Sequence, residues 1–207
     1  MKDVTLDPVE SATLSHYQQS ASAFWEGTRH HDVTQNIQAL LSVLPTDCSL
    51  DILDFGCGPG RDLLQFKALG HKPVGLDGCE NFCGMAREFS GCDVWQQSFL
   101  HLDLPPNRFD GIFANASLFH VPSADLPRVL NELHATLRHN GVLFMSNPRG
   151  NAEGWSGDRY GHYMEFETAR AFLQQAGFSV VDHYYRPPGK PRDQQPWLAI
   201  VSRKSGL

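Results

Sequence analysis

A glycine-rich turn between a predicted strand and a predicted helix is the part of this sequence whose residue types could do chemistry. The apolar run at 50–55 contains Asp54 and leads into glycine at every second position, Gly56, Gly58 and Gly60. Glycine lets the backbone turn sharply and approach a ligand closely. A strand that passes through such a loop into a helix is typical of nucleotide binding.

Two acidic residues restrict the ligand further. Asp54 stands directly before the loop, where it would repel a pyrophosphate and attract a cation. A second predicted strand, 72–77, ends in Asp77, roughly 20 residues further on, where an acid can bind both ribose hydroxyls. The glycines follow G-x-G-x-G and not the dinucleotide pattern G-x-G-x-x-G. The sequence therefore predicts a ligand with a ribose and a positive group, and it disfavours an NAD-dependent dehydrogenase.

Alternating strands and helices must position these residues. Apolar periodicity predicts two helices within 9–44, strands at 50–55, 72–77, 92–97, 109–114 and 142–147, helices at 60–69, 79–89, from Ser123 and around 169–176, and final strands at 178–185 and 197–203. The alternation indicates a parallel sheet covered on both faces. The proline-rich link before the last strand has no room for a helix, so the last two strands are predicted to pair antiparallel.

Several segments resemble the class I S-adenosylmethionine-dependent methyltransferases of the small-molecule branch. Residues 54–60, Asp-Phe-Gly-Cys-Gly-Pro-Gly, match the first motif of that family, and 74–79 are similar to its second. Residues 109–114 with 118–121 resemble the fourth strand and its sequel, and 130–143 resemble the next helix and strand. The resemblance implies an α/β, Rossmann-like class I methyltransferase fold. Its central, mostly parallel seven-stranded sheet would have an antiparallel last strand and helices on both faces.

The resemblance also implies S-adenosyl-L-methionine as cofactor and S-adenosyl-L-homocysteine as product. Asp77 would take the ribose hydroxyls, and Ser98 and Phe99 would lie beside the adenine, where the family commonly has an acid and an apolar residue. Ser98 departs from that pattern. The predicted cofactor-binding residues are Tyr17, Trp25, Arg29, Asp54, Gly56, Cys57, Gly58, Asp77, Gly78, Ser98, Phe99 and Asn115. Plain structural roles compete at three of them: a helix cap for Asp77, core packing for Phe99 and turn formation for Asn115.

The acceptor pocket is predicted to use three stretches, 119–120, 148–163 and 184–186. The middle stretch is long, glycine-rich and aromatic, which is typical of a functional loop. The predicted substrate-binding residues are Phe119, Arg149, Arg159, Tyr160 and Tyr163. The two arginines would pair with a carboxylate or phosphate on a small acceptor. The alternative is a surface loop pinned by ion pairs, for example between Arg159 and Asp158 or Glu165.

Methyl transfer is an in-line displacement that a protein aids by alignment and by excluding water. A base is needed only where the acceptor must lose a proton. His120 is predicted as that catalytic base because it follows the fourth strand and histidine titrates near neutral pH. His31 and His162 are weaker candidates. No metal site is expected, because a set made of His16, His31 and His120 has no ligand spacing.

Length and charge limit the remaining choices. The 207 residues favour one methyltransferase domain, with an N-terminal helical cap at 1–45 and an α/β core at 46–207. The formal net charge of −6 disfavours nucleic acid as a partner. No apolar run is long enough for a membrane span, and the N-terminus has no apolar signal core, so we expect no membrane partner and a cytoplasmic protein.

The odd number of cysteines, five, and the lack of a C-x-x-C pair disfavour a disulfide framework and a zinc site. The leading interpretation is therefore an enzyme that methylates an N, O or S atom of a small, possibly carboxylate-bearing metabolite, as a monomer or homodimer. Two alternatives stay open: a protein or RNA acceptor, and a non-catalytic protein that binds S-adenosylmethionine.

Overall fold

The computed structural model describes residues 8–205, so both ends of the predicted 1–207 domain lie outside the described residues. The helices are α1 (Pro8–Thr28), α2 (Thr34–Leu41), α3 (Arg61–Ala68), α4 (Glu80–Ser90), α5 (Leu126–Thr136) and α6 (Phe166–Gln175). The strands are β1 (Asp51–Phe55), β2 (Lys72–Asp77), β3 (Val94–Gln96), β4 (Phe109–Asn115), β5 (Leu137–Pro148), β6 (Glu153–Ser156), β7 (Arg159–His162), β8 (Phe178–Arg186) and β9 (Trp197–Lys204). Short 3-10 turns occupy Leu118–His120 and Arg192–Gln194.

Seven strands form the central sheet in the order β3-β2-β1-β4-β5-β9-β8. The first five strands in this order run parallel, and β9 is antiparallel to both of its neighbours. The predicted fold class is thus confirmed. The order reverses at β1 and β4, so the loops after these strands diverge and leave a crevice at their carboxyl ends, where α/β sheets bind ligands.

Alternate residues of the central strands pack against opposite layers of helices. Leu53 of β1 and Ile112 of β4 belong to the core beneath α5 and α6. Their neighbours Ile52 and Phe113 belong to the core beneath α2 and α3. Because side chains of a strand alternate between faces, a strand covered on both sides reads as a continuous apolar run. This packing explains why β1 and β4 were recognisable in the sequence.

Residues 153–162 form a β-hairpin, so the prediction of a loop over 148–163 was wrong for this part of the stretch. β6 and β7 pair antiparallel, with Trp155 opposite Tyr160 and Ser156 opposite Arg159. Gly157 begins the two-residue turn at a φ of +61°, a conformation that tight hairpin turns require. The strands have only four residues each and lack apolar alternation, so the periodicity gave no signal. Two of the predicted strands also differ in length: β3 is shorter, and β5 begins five residues earlier.

Helix α1 lies over the carboxyl ends of the central strands. Gln18 holds it to α4, because its side-chain oxygen accepts from the Asn81 amide and its carbonyl accepts from the Asn81 side chain. Tyr17 and Phe24 pack against Phe82 of α4, with ring centroids 5.5 and 5.1 Å away. Within residues 8–205, no helix is long and apolar enough to cross a membrane. Helix α1, which belongs to the predicted N-terminal helical cap, therefore covers the crevice, whereas α2 packs against a face of the sheet.

Candidate active site

The glycine loop after β1 adopts a conformation that other residues would strain. Gly56, Gly58 and Gly60 have φ of +79°, +51° and +92°, in the left-handed region that glycine alone visits freely. A Cβ on Gly56 would lie 2.3 Å from the Cβ of Ser117. The loop after β1 and the loop after β4 can therefore touch only if residue 56 is glycine.

Asp77 joins the glycine loop to the start of α4. One carboxylate oxygen accepts from the Gly58 amide and the other from the Cys79 amide, both at 2.9 Å. Burial raises the pKa of the Asp77 carboxyl to about 6. Asp77 thus holds Cys79, the residue before α4, and it also lines a cavity where its remaining lone pairs can accept further hydrogen bonds.

Asp54 is fully buried beneath the loop, and its Oδ2 atom has no hydrogen-bond partner among residues 8–205. Burial, and then the negative charge of Asp62, raise the pKa of the Asp54 carboxyl well above its usual range. A buried polar atom without a partner is costly. Asp54 borders neither of the two cavities described below, so a ligand in them would not contact its carboxyl group.

Two cavities extend from the glycine loop. The first lies between α1 and the ends of β2 and β3, and its walls include Glu10, Leu14, Asp77, Gly78, Phe99 and Leu100. The second has a volume of about 560 Å³, which is typical of a small-molecule site. Its walls include Trp25, Thr28, His31, Asn115, Phe119, Arg159, Arg186 and Trp197. Both cavities are bordered by Tyr17, Phe24, Gly56, Gly58 and Ala116, so they meet at the loop.

Most of the predicted cofactor residues come together around these cavities. Tyr17, Gly56 and Gly58 border both; Asp77, Gly78 and Phe99 border the first; Trp25, Cys57 and Asn115 border the second. Burial raises the pKa of the Cys57 thiol well above its usual range, which favours the interpretation of this residue as a small side chain in a tight turn. Arg29 is different, because its guanidinium is exposed and pairs with Glu26 at 3.0 Å. It is not among the residues that border either cavity.

His120 borders the first cavity and forms two hydrogen bonds there. Its Nδ1 lies 2.7 Å from the Tyr160 carbonyl oxygen, and its Nε2 lies 2.9 Å from the Tyr17 hydroxyl. A carbonyl only accepts, so Nδ1 carries the proton and Nε2 accepts from Tyr17. Burial lowers the pKa of His120 to about 4. The predicted base is therefore a neutral, weakly basic ring that holds the tyrosine hydroxyl in place.

The predicted acceptor residues divide into two groups. Phe119 and Arg159 border the second cavity, and the Nη1 atom of Arg159 lies 3.5 Å from the Tyr17 hydroxyl. Arg149 lies elsewhere: its guanidinium donates to Glu165 at 3.1 Å and to the Gln195 carbonyl oxygen. Glu165 is thus the partner of Arg149 and not of Arg159, the pairing that the alternative interpretation gave as one example.

Tyr160 and Tyr163, the two tyrosines predicted to bind substrate, lie behind the residues that line the second cavity. Tyr160 donates its hydroxyl hydrogen bond to Glu153 at 2.9 Å. The ring of Tyr163 stacks at 6.0 Å from that of Phe119. Both side chains belong to the hairpin region and stand outside the cavity walls as described. Their contacts hold the hairpin against the site.

Sequence reasoning missed a polar network beneath the second cavity. Arg61 forms two hydrogen bonds with Asp62 and donates to the Thr28 carbonyl oxygen at 2.9 Å, which fixes the end of α1. Asn115 accepts from Asn36 at 2.9 Å and donates to Asp62 at 3.4 Å. The adjacent charged residues Arg61 and Asp62, directly after the glycine loop, were the sequence signal that could have indicated this network. Their partners in α1 and α2 carried no such signal.

The acceptor side also holds Arg186, which belongs to the predicted acceptor stretch 184–186, and Trp197, which the sequence did not single out. Arg186 ends β8 and donates to the Asp32 carbonyl oxygen at 3.1 Å. Trp197 begins β9 opposite Arg186 in the ladder. Both border the second cavity with Arg159.

Part of this chain resembles known methyltransferases in sequence. Residues 52–141 match the family model for a methyltransferase domain. A trans-aconitate 2-methyltransferase of Azoarcus sp. strain BH72 is 34% identical over 118 residues, which are 56% of this chain and 46% of that protein. A malonyl-[acyl-carrier protein] O-methyltransferase of Pectobacterium atrosepticum is 29% identical over 107 residues, 51% of this chain and 42% of that protein. The chain spans less than half the length of these two relatives.

Solved structures share the fold over nearly the whole chain. The Burkholderia thailandensis 1,6-didemethyltoxoflavin-N1-methyltransferase, with its substrate and S-adenosylhomocysteine bound, has a TM-score of 0.75 at 21% identity, covering 99% of this chain and 93% of that one. A Leishmania major S-adenosylmethionine-dependent methyltransferase has a TM-score of 0.77 at 20% identity, covering 95% and 85%. Residues 52–141 thus match a methyltransferase domain, and the strand order and fold of the chain are those of these S-adenosylmethionine-dependent methyltransferase structures.

Proposed function

We propose that this protein transfers a methyl group from S-adenosylmethionine to a carboxylate oxygen of a small anionic acceptor. The observation that carries the proposal is the second cavity, where Arg159 and Arg186 stand among aromatic walls beside the glycine loop. Arginine pairs with carboxylates through two parallel hydrogen bonds. The two curated relatives named above act on trans-aconitate and a malonyl group, both carboxylic acids, which supports this acceptor class.

The residues of the first cavity fit the cofactor. Asp77, which borders that cavity, would accept hydrogen bonds from the ribose hydroxyls. When bound, S-adenosylmethionine supplies a methyl group already activated on a sulfonium. The chain would then need only to align the acceptor with that methyl group and to exclude water, which α1 and the hairpin are placed to do.

A carboxylate acceptor agrees with the state of His120. Carboxylic acids are ionised at neutral pH and have no proton to lose before attack. His120 has a pKa lowered to about 4 by burial, and both of its ring nitrogens are engaged. A second candidate is an acceptor with an N–H or O–H group, which the Tyr17–His120 hydrogen bond favours. The acceptor proton would pass to the Tyr17 oxygen while the Tyr17 proton moves to Nε2.

We expect Arg159→Ala to raise the KM for the acceptor by about tenfold, because a charge-assisted hydrogen bond is lost. The protein is incubated with S-adenosylmethionine and either trans-aconitate or a malonyl thioester, and the methyl ester is measured by mass spectrometry. Affinity for S-adenosylhomocysteine stays unchanged. Arg170→Ala is the control, since Arg170 pairs with Glu167 on the surface of α6. An unchanged KM excludes Arg159 from the acceptor site, and methylation of amines or alcohols alone contradicts the carboxylate proposal.

We expect His120→Gln to lower kcat for the carboxylate acceptor by far less than the ~10²-fold that loss of a general base causes. The measurement is the pH profile of kcat for the wild type and the variant, with thermal unfolding as the check on folding. Tyr17→Phe is the matched variant, because it removes the hydroxyl that His120 holds. A 10²-fold or larger fall in kcat, with the profile changed in the acidic range, would instead support the second candidate.

A further inference from the structure

Ser98 occupies the place after β3 where the resemblance leads one to expect an acid, and its hydroxyl is already engaged by the protein. Its oxygen accepts from the Leu100 amide at 3.0 Å, and its proton is donated in a short hydrogen bond to the Oε1 atom of Glu10. Ser98 is also outside the walls of the first cavity as described. A direct contact between Ser98 and an adenine amine therefore has little support.

Glu10 brings a carboxylate to the same place from another element. It lies in the first turns of α1 and borders the first cavity together with Asp77 and Phe99. Its Oε1 atom is held by Ser98, whereas its Oε2 atom is buried and has no hydrogen-bond partner among residues 8–205. Leaving a carboxylate oxygen buried and unsatisfied is costly, so this atom is an acceptor prepared for a donor.

The packing of α1 places Glu10 at the end of the cavity where a base would lie. Leu14, one turn after Glu10, packs closely against Gly78. A Cβ added to residue 78 would lie only 2.8 Å from the Cδ2 atom of Leu14. Gly78 follows Asp77, the proposed ribose ligand, and faces the Gln97 carbonyl oxygen just before Ser98. A base attached to a ribose at Asp77 would extend between α1 and the loop after β3.

We propose that Glu10, positioned by Ser98, accepts a hydrogen bond from the exocyclic amine of the cofactor's adenine. The carboxylate that the loop after β3 lacks is thus supplied by α1, and Ser98 is a positioning residue. The proposal rests on the proposed function, because it takes the first cavity as the site of the adenosine. It makes α1 part of the specificity for adenine as well as a roof over the site.

The test compares S-adenosylhomocysteine with S-inosylhomocysteine, in which a carbonyl oxygen replaces the amine. Calorimetric titration of the wild type should favour the adenine ligand by at least about tenfold, because a carboxylate facing a carbonyl oxygen leaves both unsatisfied. Glu10→Gln should remove most of this preference, because an amide can donate to the carbonyl. Ser98→Ala should weaken adenine binding but keep part of the preference. Glu26→Gln, an exposed change on the same helix, is the matched control.

The outcomes separate this proposal from the proposed function. If the wild type binds neither ligand, the assignment of the cofactor site fails. If the wild type prefers the adenine ligand and Glu10→Gln keeps the full preference, the cofactor site stands and Glu10 is excluded as the adenine acceptor. A displaced α1 would weaken the binding of both ligands, so thermal unfolding of each variant and an affinity of Glu10→Gln for S-inosylhomocysteine that does not fall show that the helix is still in place.

Discussion

Replacing Asp77 with asparagine should weaken S-adenosylhomocysteine binding by at least about 100-fold, because two hydrogen bonds to a charged acceptor are lost. The carboxylate already accepts from the amides of Gly58 and Cys79. The two ribose hydroxyls would raise the number of donors to four, and a single asparagine oxygen cannot accept from all of them. Calorimetric titration measures the loss.

The same titration across pH tests the protonation state of Asp77. Burial raises the pKa of its carboxyl from the ordinary 3.8 to about 6 in the folded protein. Four donors require the ionised form, so affinity should fall as pH decreases through about 6, by up to about tenfold per pH unit. The Asp77→Asn variant should lack the part of this pH dependence of affinity that comes from protonation of Asp77.

The raised pKa has a consequence for stability with the opposite sign. Between about pH 4 and 6 the folded state binds more protons at Asp77 than the unfolded state does. The free energy of unfolding therefore loses this contribution as pH rises through that window.

Asp47→Asn, on the exposed segment before β1, is the control in the binding titration for removing one negative charge. If Asp77→Asn binds S-adenosylhomocysteine as the wild type does, Asp77 only joins the glycine loop to the start of α4.

Gly56→Ala should destabilise the protein more than the same change at a glycine with similar backbone but open surroundings. The φ values of Gly56 and Gly70 are +79° and +87°, so alanine strains both, at a cost of about 1–2 kcal/mol. Only at Gly56 would the new Cβ meet another atom, the Ser117 Cβ at 2.3 Å, whereas nothing lies within 4 Å at Gly70. Overpacking of this kind costs about 1–3 kcal/mol more.

Urea denaturation of the two variants separates strain from collision. Gly70→Ala should lower the free energy of unfolding by the strain alone and leave S-adenosylhomocysteine binding intact. Gly56→Ala should lower it by the larger amount and also weaken binding, because the loop must move away from the one after β4. Equal losses at both positions would contradict the close approach of the two loops at Gly56.

The sequence by itself determined the features whose signals are local in the chain. Continuous apolar runs and helical spacing indicated a parallel sheet because each strand and each helix carries its own pattern. The glycine loop and Asp77 were recognisable because they follow two strands directly, and the carboxyl ends of parallel strands meet at one edge of a sheet. The family resemblance predicted Gly78 and Phe99, and the position after β4 predicted Phe119; all three border the cavities.

Only the tertiary structure decided which distant side chains meet there. Glu10 contacts Ser98 across 88 residues, and Tyr17 contacts His120 across 103. Periodicity gives the face of α1 that is packed but not the part of the sheet that it covers, so neither contact has a sequence signal. Arg149 and Arg159 are alike as residues, yet packing gives Arg149 to Glu165 and leaves Arg159 at the cavity. Burial, which only the folded chain creates, is also what makes His120 a weak base.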